Sequence, residues 1–187
     1  MPMNLPNTLT WLRIVLIPLF VGVFYLPDGL LLKGQVNGVA TAIFILAAVT
    51  DWLDGYLARR FNQTSAFGAF LDPVADKLMV AAALIVLVDL DRANVYVALI
   101  IIGREIAISA LREWMARIGK DHSVAVSFVG KLKTTAQMMA IALLLFHEPL
   151  MGFAHTQILG RWLLDIAAFL TLWSMAHYLR MAWKALR

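Results

Sequence analysis

Apolar stretches of about twenty residues, each long enough to cross a bilayer as a helix, recur along this entire 187-residue chain. Hydrophobic residues make up 61% of it and charged residues 15%, whereas a soluble domain has about 45–50% and about 25%. The breaks between the stretches hold polar residues and turn formers: Pro27-Asp28-Gly29, Asn62-Gln63-Thr64-Ser65, Asp89-Leu90-Asp91-Arg92, Gly119-Lys120-Asp121 and His147-Glu148-Pro149. The expected fold is therefore all-α: one membrane-embedded domain over residues 1–187 with six transmembrane helices, at about 8–27, 37–60, 72–89, 93–117, 125–146 and 158–183. The first apolar run follows Pro6-Asn7-Thr8 without a basic leader, so it reads as a retained helix. No internal repeat or low-complexity tract interrupts this pattern.

The basic residues orient the bundle. With both termini on one side, thirteen Lys and Arg gather there, and only Lys33, Arg92 and Arg161 lie opposite. The positive-inside bias then places both termini in the cytoplasm. With no cysteine, disulfides and thiolate metal sites are excluded. His122, His147, His155 and His177 show no paired ligand spacing and read as loop or helix-end polar residues. Trp11, Trp114, Trp162, Trp173 and Trp183 mostly fall near helix ends, as an interfacial belt does.

Against this apolar background stand four aspartates. Asp51, Asp54 and Ala58 are spaced i, i+3, i+7, and Asp72 and Asp76 i, i+4, so each set forms one stripe of a helix. Asp51 is about 21 Å along its helix from Asn37, and Asp76 about 20 Å from Asp89. Both pairs thus fall in the inner third of a hydrocarbon core about 30 Å thick. Lys133 lies at a similar depth, with Arg104 and Glu105 somewhat nearer mid-membrane. Ionised groups at such depth are costly and mark a working site. Four carboxylates together would repel and take up protons unless cations joined them. Oxygen donors without His or Cys suit a hard cation, Mg²⁺ or Mn²⁺, one or two ions. Gly55, Ala58 and Gly68 remove bulk beside the acids, as a phosphate or nucleotide lying against a helix requires, and Arg59 can neutralise a phosphate.

Together these residues spell D-x2-D-G-x2-A-R-x8-G-x3-D-x3-D: Asp51, Asp54, Gly55, Ala58, Arg59, Gly68, Asp72 and Asp76. This pattern resembles the signature of the CDP-alcohol phosphotransferase family; eight fixed positions at about one in twenty arise by chance on the order of once in 10⁸ such chains. The resemblance implies a six-helix membrane enzyme, a homodimer, with no nucleic-acid partner. Such an enzyme transfers the phosphatidyl group of a CDP-linked lipid, commonly CDP-diacylglycerol, to an alcohol and releases CMP. It further implies divalent metal, Mg²⁺ or Mn²⁺ and two ions, at Asp51, Asp54, Asp72 and Asp76. Asp76 would also be the general base, and Asp51, Gly55, Ala58, Arg59 and Gly68 would hold the CDP moiety.

The remaining cations bear on the acceptor. Arg104, Arg112, Lys131 and Lys133 near the aspartate layer suit a phosphate dianion in a partly desolvated cavity. The stretches Asn7–Arg13, Gly103–Ile106 and Gly130–Gln137 are similar to members of the family that use glycerol 3-phosphate, working at the bacterial inner membrane with the site facing the cytoplasm. That similarity adds Thr134 to the acceptor site and also assigns Asn7, Thr10 and Arg13, at the start of helix one, to the site. Other acceptors (phosphatidylglycerol, inositol phosphate, serine) stay open. An ion-coupled transporter also uses intramembrane acids, but the chain has no repeated half with a matching broken helix, and its acids sit at one depth. A non-catalytic lipid- or nucleotide-binding scaffold is the third reading.

Overall fold

A computed structural model of the chain describes residues 5–27, 29–61, 66–119, 128–149 and 156–186. Within these ranges the backbone of Asn7, Gly55, Ala58, Arg59 and Lys131 is described but their surroundings are not. The described residues form six helices and no strand: α1 (Leu5–Val23), α2 (Lys33–Phe61), α3 (Ala66–Asp89), α4 (Val95–Arg117), α5 (Phe128–Phe146) and α6 (Thr156–Leu186). The all-α expectation holds. By length and composition, the stretches Lys33–Asp54 in α2 and Thr156–Lys184 in α6 suffice to cross a membrane. Thr8–Val23 and Leu132–Phe146 are shorter apolar segments. The charges that interrupt α3 and α4, among them Asp72, Asp76, Arg104 and Glu105, are those that mark the site.

The largest difference from the sequence reading lies at the start of α3. Asp72-Pro73 resembles a helix beginning, because proline fits the first turn, where its missing N–H costs nothing. The helix instead starts at Ala66 and carries Pro73 inside it. Only one intrahelical bond is forgone there, at the carbonyl four residues earlier. As a result Gly68 lies on the helix, buried, on the same element as Asp72 and Asp76. At the other end of the chain α6 runs three residues beyond the expected 183.

Helix α3 is the hub, packing against α1, α2, α4 and α5, while α6 closes the far side against α4 and α5. The main core joins Leu16 and Phe20 of α1, Phe44 of α2, Met79, Leu84 and Leu87 of α3, Ile101 of α4, and Ile141 and Leu145 of α5. Large apolar side chains also cover the outside: Leu19, Ile45, Ile85, Leu99, Phe169 and Trp173 are all exposed. An apolar exterior around a helical bundle is what a lipid environment favours. The connections are tied by specific bonds. Arg92 donates to the Leu144 and Leu145 carbonyls (3.2 and 2.9 Å) at the end of α5, and to Asn37 Oδ1 (2.9 Å) on α2. One side chain thereby satisfies orphan carbonyls of a helix end. Asn94 caps α4, its side chain accepting from the Tyr96 N–H at 2.8 Å.

Candidate active site

Helix α1 places Thr10 and Arg13 one turn apart, and both are buried. The Arg13 guanidinium reaches Asp51 Oδ1 at 2.9 Å and also bonds the Asp54 carboxylate. The Thr10 hydroxyl donates to Asp72 Oδ1. One stripe of α1 therefore engages acids on both α2 and α3. Thr10 and Arg13, assigned to the site from helix one, thus contact three of the motif aspartates; Asn7 falls outside the described surroundings. The i, i+3 spacing predicts that Asp51 and Asp54 share a helix face, and Arg13 bonds both. Their exposures nevertheless differ: the Asp51 side chain is 43% exposed, Asp54 only 4%. A buried carboxylate requires such a partner, because Coulomb attraction must offset its lost hydration.

Asp51 and Asp76 line one cavity of about 450 Å³, together with Lys77, Glu105, Thr134 and Gln137. Acids from α2 and α3 thus open onto the same space. Their donor chemistry fits a hard divalent cation: carboxylate oxygens from facing stripes, with no sulfur or imidazole among them. Among the described residues, no three acidic or imidazole side chains gather about a single point. Arg13 supplies the countercharge to Asp51 and Asp54.

The opposite wall is cationic. Glu105 Oε1 accepts from Lys133 Nζ at 2.6 Å and from Arg104 Nη1 at 2.8 Å. Lys133 is only 1% exposed and Arg104 is likewise buried. Arg104 and Arg112 both approach the face of Tyr178, their guanidinium carbons 5.9 and 5.2 Å from the ring centroid. Two expected cations, Arg104 and Lys133, therefore converge on a single carboxylate, Arg112 shares the Tyr178 ring with Arg104, and the Nε atoms of Arg104 and Arg112 are buried without an acceptor. Arg112 has no ion-pair partner among the described residues. Thr134 reaches the cavity; Lys131, on α5, is outside the described surroundings. The predicted CDP-contacting positions Gly55, Ala58 and Arg59 lie in the last turns of α2, their surroundings likewise undescribed, and Gly68 is buried on α3.

Sequence reasoning assigned no role to Glu105, Gln137, Ser174 or Tyr178. Glu105 sits beside Arg104 at membrane depth, which was a signal for a paired ion. Gln137 lines the cavity, buried, with Oε1 lacking a hydrogen-bond partner. Ser174 and Tyr178 gave a weaker sign, the i, i+3, i+7 stripe with Thr171 on α6. Trp52 borders the cavity and stacks on Tyr56, centroids 5.9 Å apart. From Trp52 an apolar groove of about 330 Å³ continues along Phe44, Ile45, Val49, Met138 and Met139.

Known proteins resemble the chain over nearly its whole length. A CDP-diacylglycerol–glycerol-3-phosphate 3-phosphatidyltransferase of Pseudomonas fluorescens is 50% identical over 189 aligned residues, covering 99% of this chain and 93% of the relative. Proteins of the same name from Salmonella typhimurium and Yersinia enterocolitica are 52% and 50% identical, covering 97% and 100% of this chain and 96% and 98% of their own lengths. The sequence profile of the CDP-alcohol phosphatidyltransferase family matches residues 3–173, a span that takes in the aspartate stripes of α2 and α3 and the cationic wall on α4 and α5. Eight motif positions in register, acids on facing helices around one cavity, and this match agree: the chain belongs to the CDP-alcohol phosphatidyltransferase family.

Proposed function

We propose that this protein transfers the phosphatidyl group of CDP-diacylglycerol to glycerol 3-phosphate, giving phosphatidylglycerol phosphate and CMP. The observation that carries the reading is the cavity between Asp51 and Asp76 on one side and Glu105, with its bound Arg104 and Lys133, on the other. An anionic donor held through cations at the acids, and a phosphorylated acceptor held by the basic wall, would meet there. The names of the relatives support the same two substrates.

A divalent ion, Mg²⁺ or Mn²⁺ and two of them in this reading, held by Asp51, Asp54, Asp72 and Asp76 would neutralise the diphosphate and ease departure of CMP. The chain's own groups do the rest. Arg13 and Thr10 fix the carboxylates of Asp51, Asp54 and Asp72 in place. Gly55, Ala58 and Gly68 let the nucleotide approach the helices, and Arg59 answers a phosphate charge. Arg104, Lys133 and Arg112, with Lys131 and Thr134, hold the acceptor phosphate by charge-assisted hydrogen bonds. Asp76 takes the proton from the attacking hydroxyl, the work of a carboxylate within hydrogen-bond reach. The oxygen so activated forms the new bond to the lipid-side phosphorus as the bond to CMP breaks. The groove from Trp52 along Met138 and Met139 receives the acyl chains. The enzyme is a six-span protein of the bacterial inner membrane, a homodimer with termini and site on the cytoplasmic side. The thirteen-to-three distribution of basic residues supports that orientation.

The test is CMP release by the detergent-solubilised protein given CDP-diacylglycerol, Mg²⁺ and glycerol 3-phosphate, with a parallel run in excess EDTA. Release that needs both acceptor and metal, with phosphatidylglycerol phosphate as product, is expected. Asp76→Asn should lower turnover by about 10²–10⁴-fold, the usual weight of a positioned base, while binding of CDP persists. Metal-dependent release only with another alcohol would overturn the acceptor, and no release with any alcohol from folded protein would overturn the enzyme reading.

A further inference from the structure

Helix α6 carries none of the acids or cations of the site and, among the described residues, packs on neither α2 nor α3. It nevertheless places two polar side chains against the arginines of α4. Ser174 is buried and donates its hydroxyl hydrogen to the Thr171 carbonyl at 2.9 Å. Its oxygen therefore faces Arg104 purely as an acceptor, 3.3 Å from Nη2. One turn on, Tyr178 is 2% exposed, and its hydroxyl accepts from Arg112 Nη2 at 3.3 Å. Its ring lies against both guanidinium groups.

Two like charges sharing one ring repel each other, and among the described residues only Arg104 of the two has an anion beside it, Glu105. A flat aromatic face can hold both through its negative quadrupole without spending a negative charge. That distinction matters at an anion site. A carboxylate in the place of Tyr178 would pair with the arginines and compete with an incoming phosphate, whereas a ring fixes their planes and adds no negative charge of its own. Burial among Ile108, Met115 and Ala182 locks the ring itself.

We infer that Tyr178, assisted by Ser174, is a positioning residue that holds Arg104 and Arg112 in the geometry that receives the phosphate of the acceptor. The inference rests on the acceptor reading above and extends it to α6, the helix most remote from the aspartates. Substituting Tyr178 weakens acceptor binding and leaves the lipid donor untouched. Phenylalanine, which keeps the ring and loses only the hydroxyl, retains most of the function.

The experiment measures KM for glycerol 3-phosphate and for CDP-diacylglycerol, and inhibition by inorganic phosphate, in the wild type, Tyr178→Phe, Tyr178→Leu and Ser174→Ala. The expected result is a KM for glycerol 3-phosphate raised about 3-fold in Tyr178→Phe and Ser174→Ala and about 30-fold in Tyr178→Leu, from a lost long hydrogen bond between a guanidinium and a hydroxyl and a lost buried cation–π contact. The KM for CDP-diacylglycerol and kcat stay within about 2-fold, and the phosphate inhibition constant rises in parallel with the acceptor KM. Equal shifts in both KM values, or a loss of kcat alone, would overturn the positioning role. If Tyr178→Leu does not fold, the Phe and Ser174→Ala variants carry the same comparison, and unchanged acceptor KM and phosphate inhibition in both would overturn it. Phosphate that fails to compete with glycerol 3-phosphate in the wild type would instead remove the acceptor reading and this inference with it.

Discussion

Glu105 of α4 and Lys133 of α5 form an ion pair of 2.6 Å although, among the described residues, their two helices do not pack against each other. Both helices lean on α3 and α6, and the pair spans the crevice left between them. Long side chains can cross a gap that backbones do not close. The same crevice opens onto the cavity, so its polar bridge is both a brace and a wall of the site.

Breaking that bridge from one side should be costly. Glu105→Leu leaves Lys133 and Arg104 buried without their shared anion, an effect of about 3–5 kcal/mol for one orphaned partner. Thermal unfolding in detergent should show a clear fall in Tm. The double variant Glu105→Leu with Lys133→Met should be more stable than Glu105→Leu alone, since removing both charges also removes the desolvation penalty. A double variant no better than the single would show that the pair does not couple.

The brace on the acidic side predicts a contrast between two replacements of Arg13. Arg13→Met removes the ion pair of the buried Asp54 and should lower stability by about 3–5 kcal/mol. Arg13→Lys keeps the charge but lacks the planar fork that reaches Asp51 and Asp54 together. It should fold better than the methionine variant while losing activity. Unfolding curves and CMP release on both proteins check this. Equal stability of the two would mean that charge at position 13 contributes nothing.

A pH effect is expected at the opposite end of the bundle. His147 follows α5 with φ of 57° and lies 3.0 Å from Gln157 Nε2. Burial, and next the charge of Arg92, hold its pKa below the usual 6.5. The folded protein therefore binds fewer protons here than the unfolded chain, and stability rises with pH through this window. The contribution is present above pH 6.5 and is lost as pH falls toward the depressed value. His147→Asn, which tolerates the same backbone region, should flatten the pH dependence of Tm between about 5 and 7. An unchanged slope would exclude His147 as the source.

Much of this architecture follows from local chemistry alone. Helix number and order were readable because apolar runs of bilayer length separated by turn residues have few other solutions in an all-helical chain. The acids were readable too, since charge among apolar neighbours is too costly to be incidental. Spacing told that Asp51 shares a face with Asp54, and Asp72 with Asp76, because a helix fixes that relation within a few residues. The start of α3 was misread for a related reason: local preference at Asp72-Pro73 is weak against packing, and α3 is the element on which four others pack.

What spacing could not supply is any relation between distant positions. That Arg13 serves Asp51 and Asp54 rather than the membrane interface depends on α1 lying over α2. That Lys133 and Arg104 converge on Glu105, and that Tyr178 receives two arginines from another helix, depends on crevices formed by tertiary packing. The sequence by itself determined which helices form and that charged groups must be sheltered within them, because burial cost and helical periodicity act locally. Only the tertiary structure decided which charge answers which. Pairing energy depends on distance in space, and residues 28 to 74 positions apart meet only when the bundle closes.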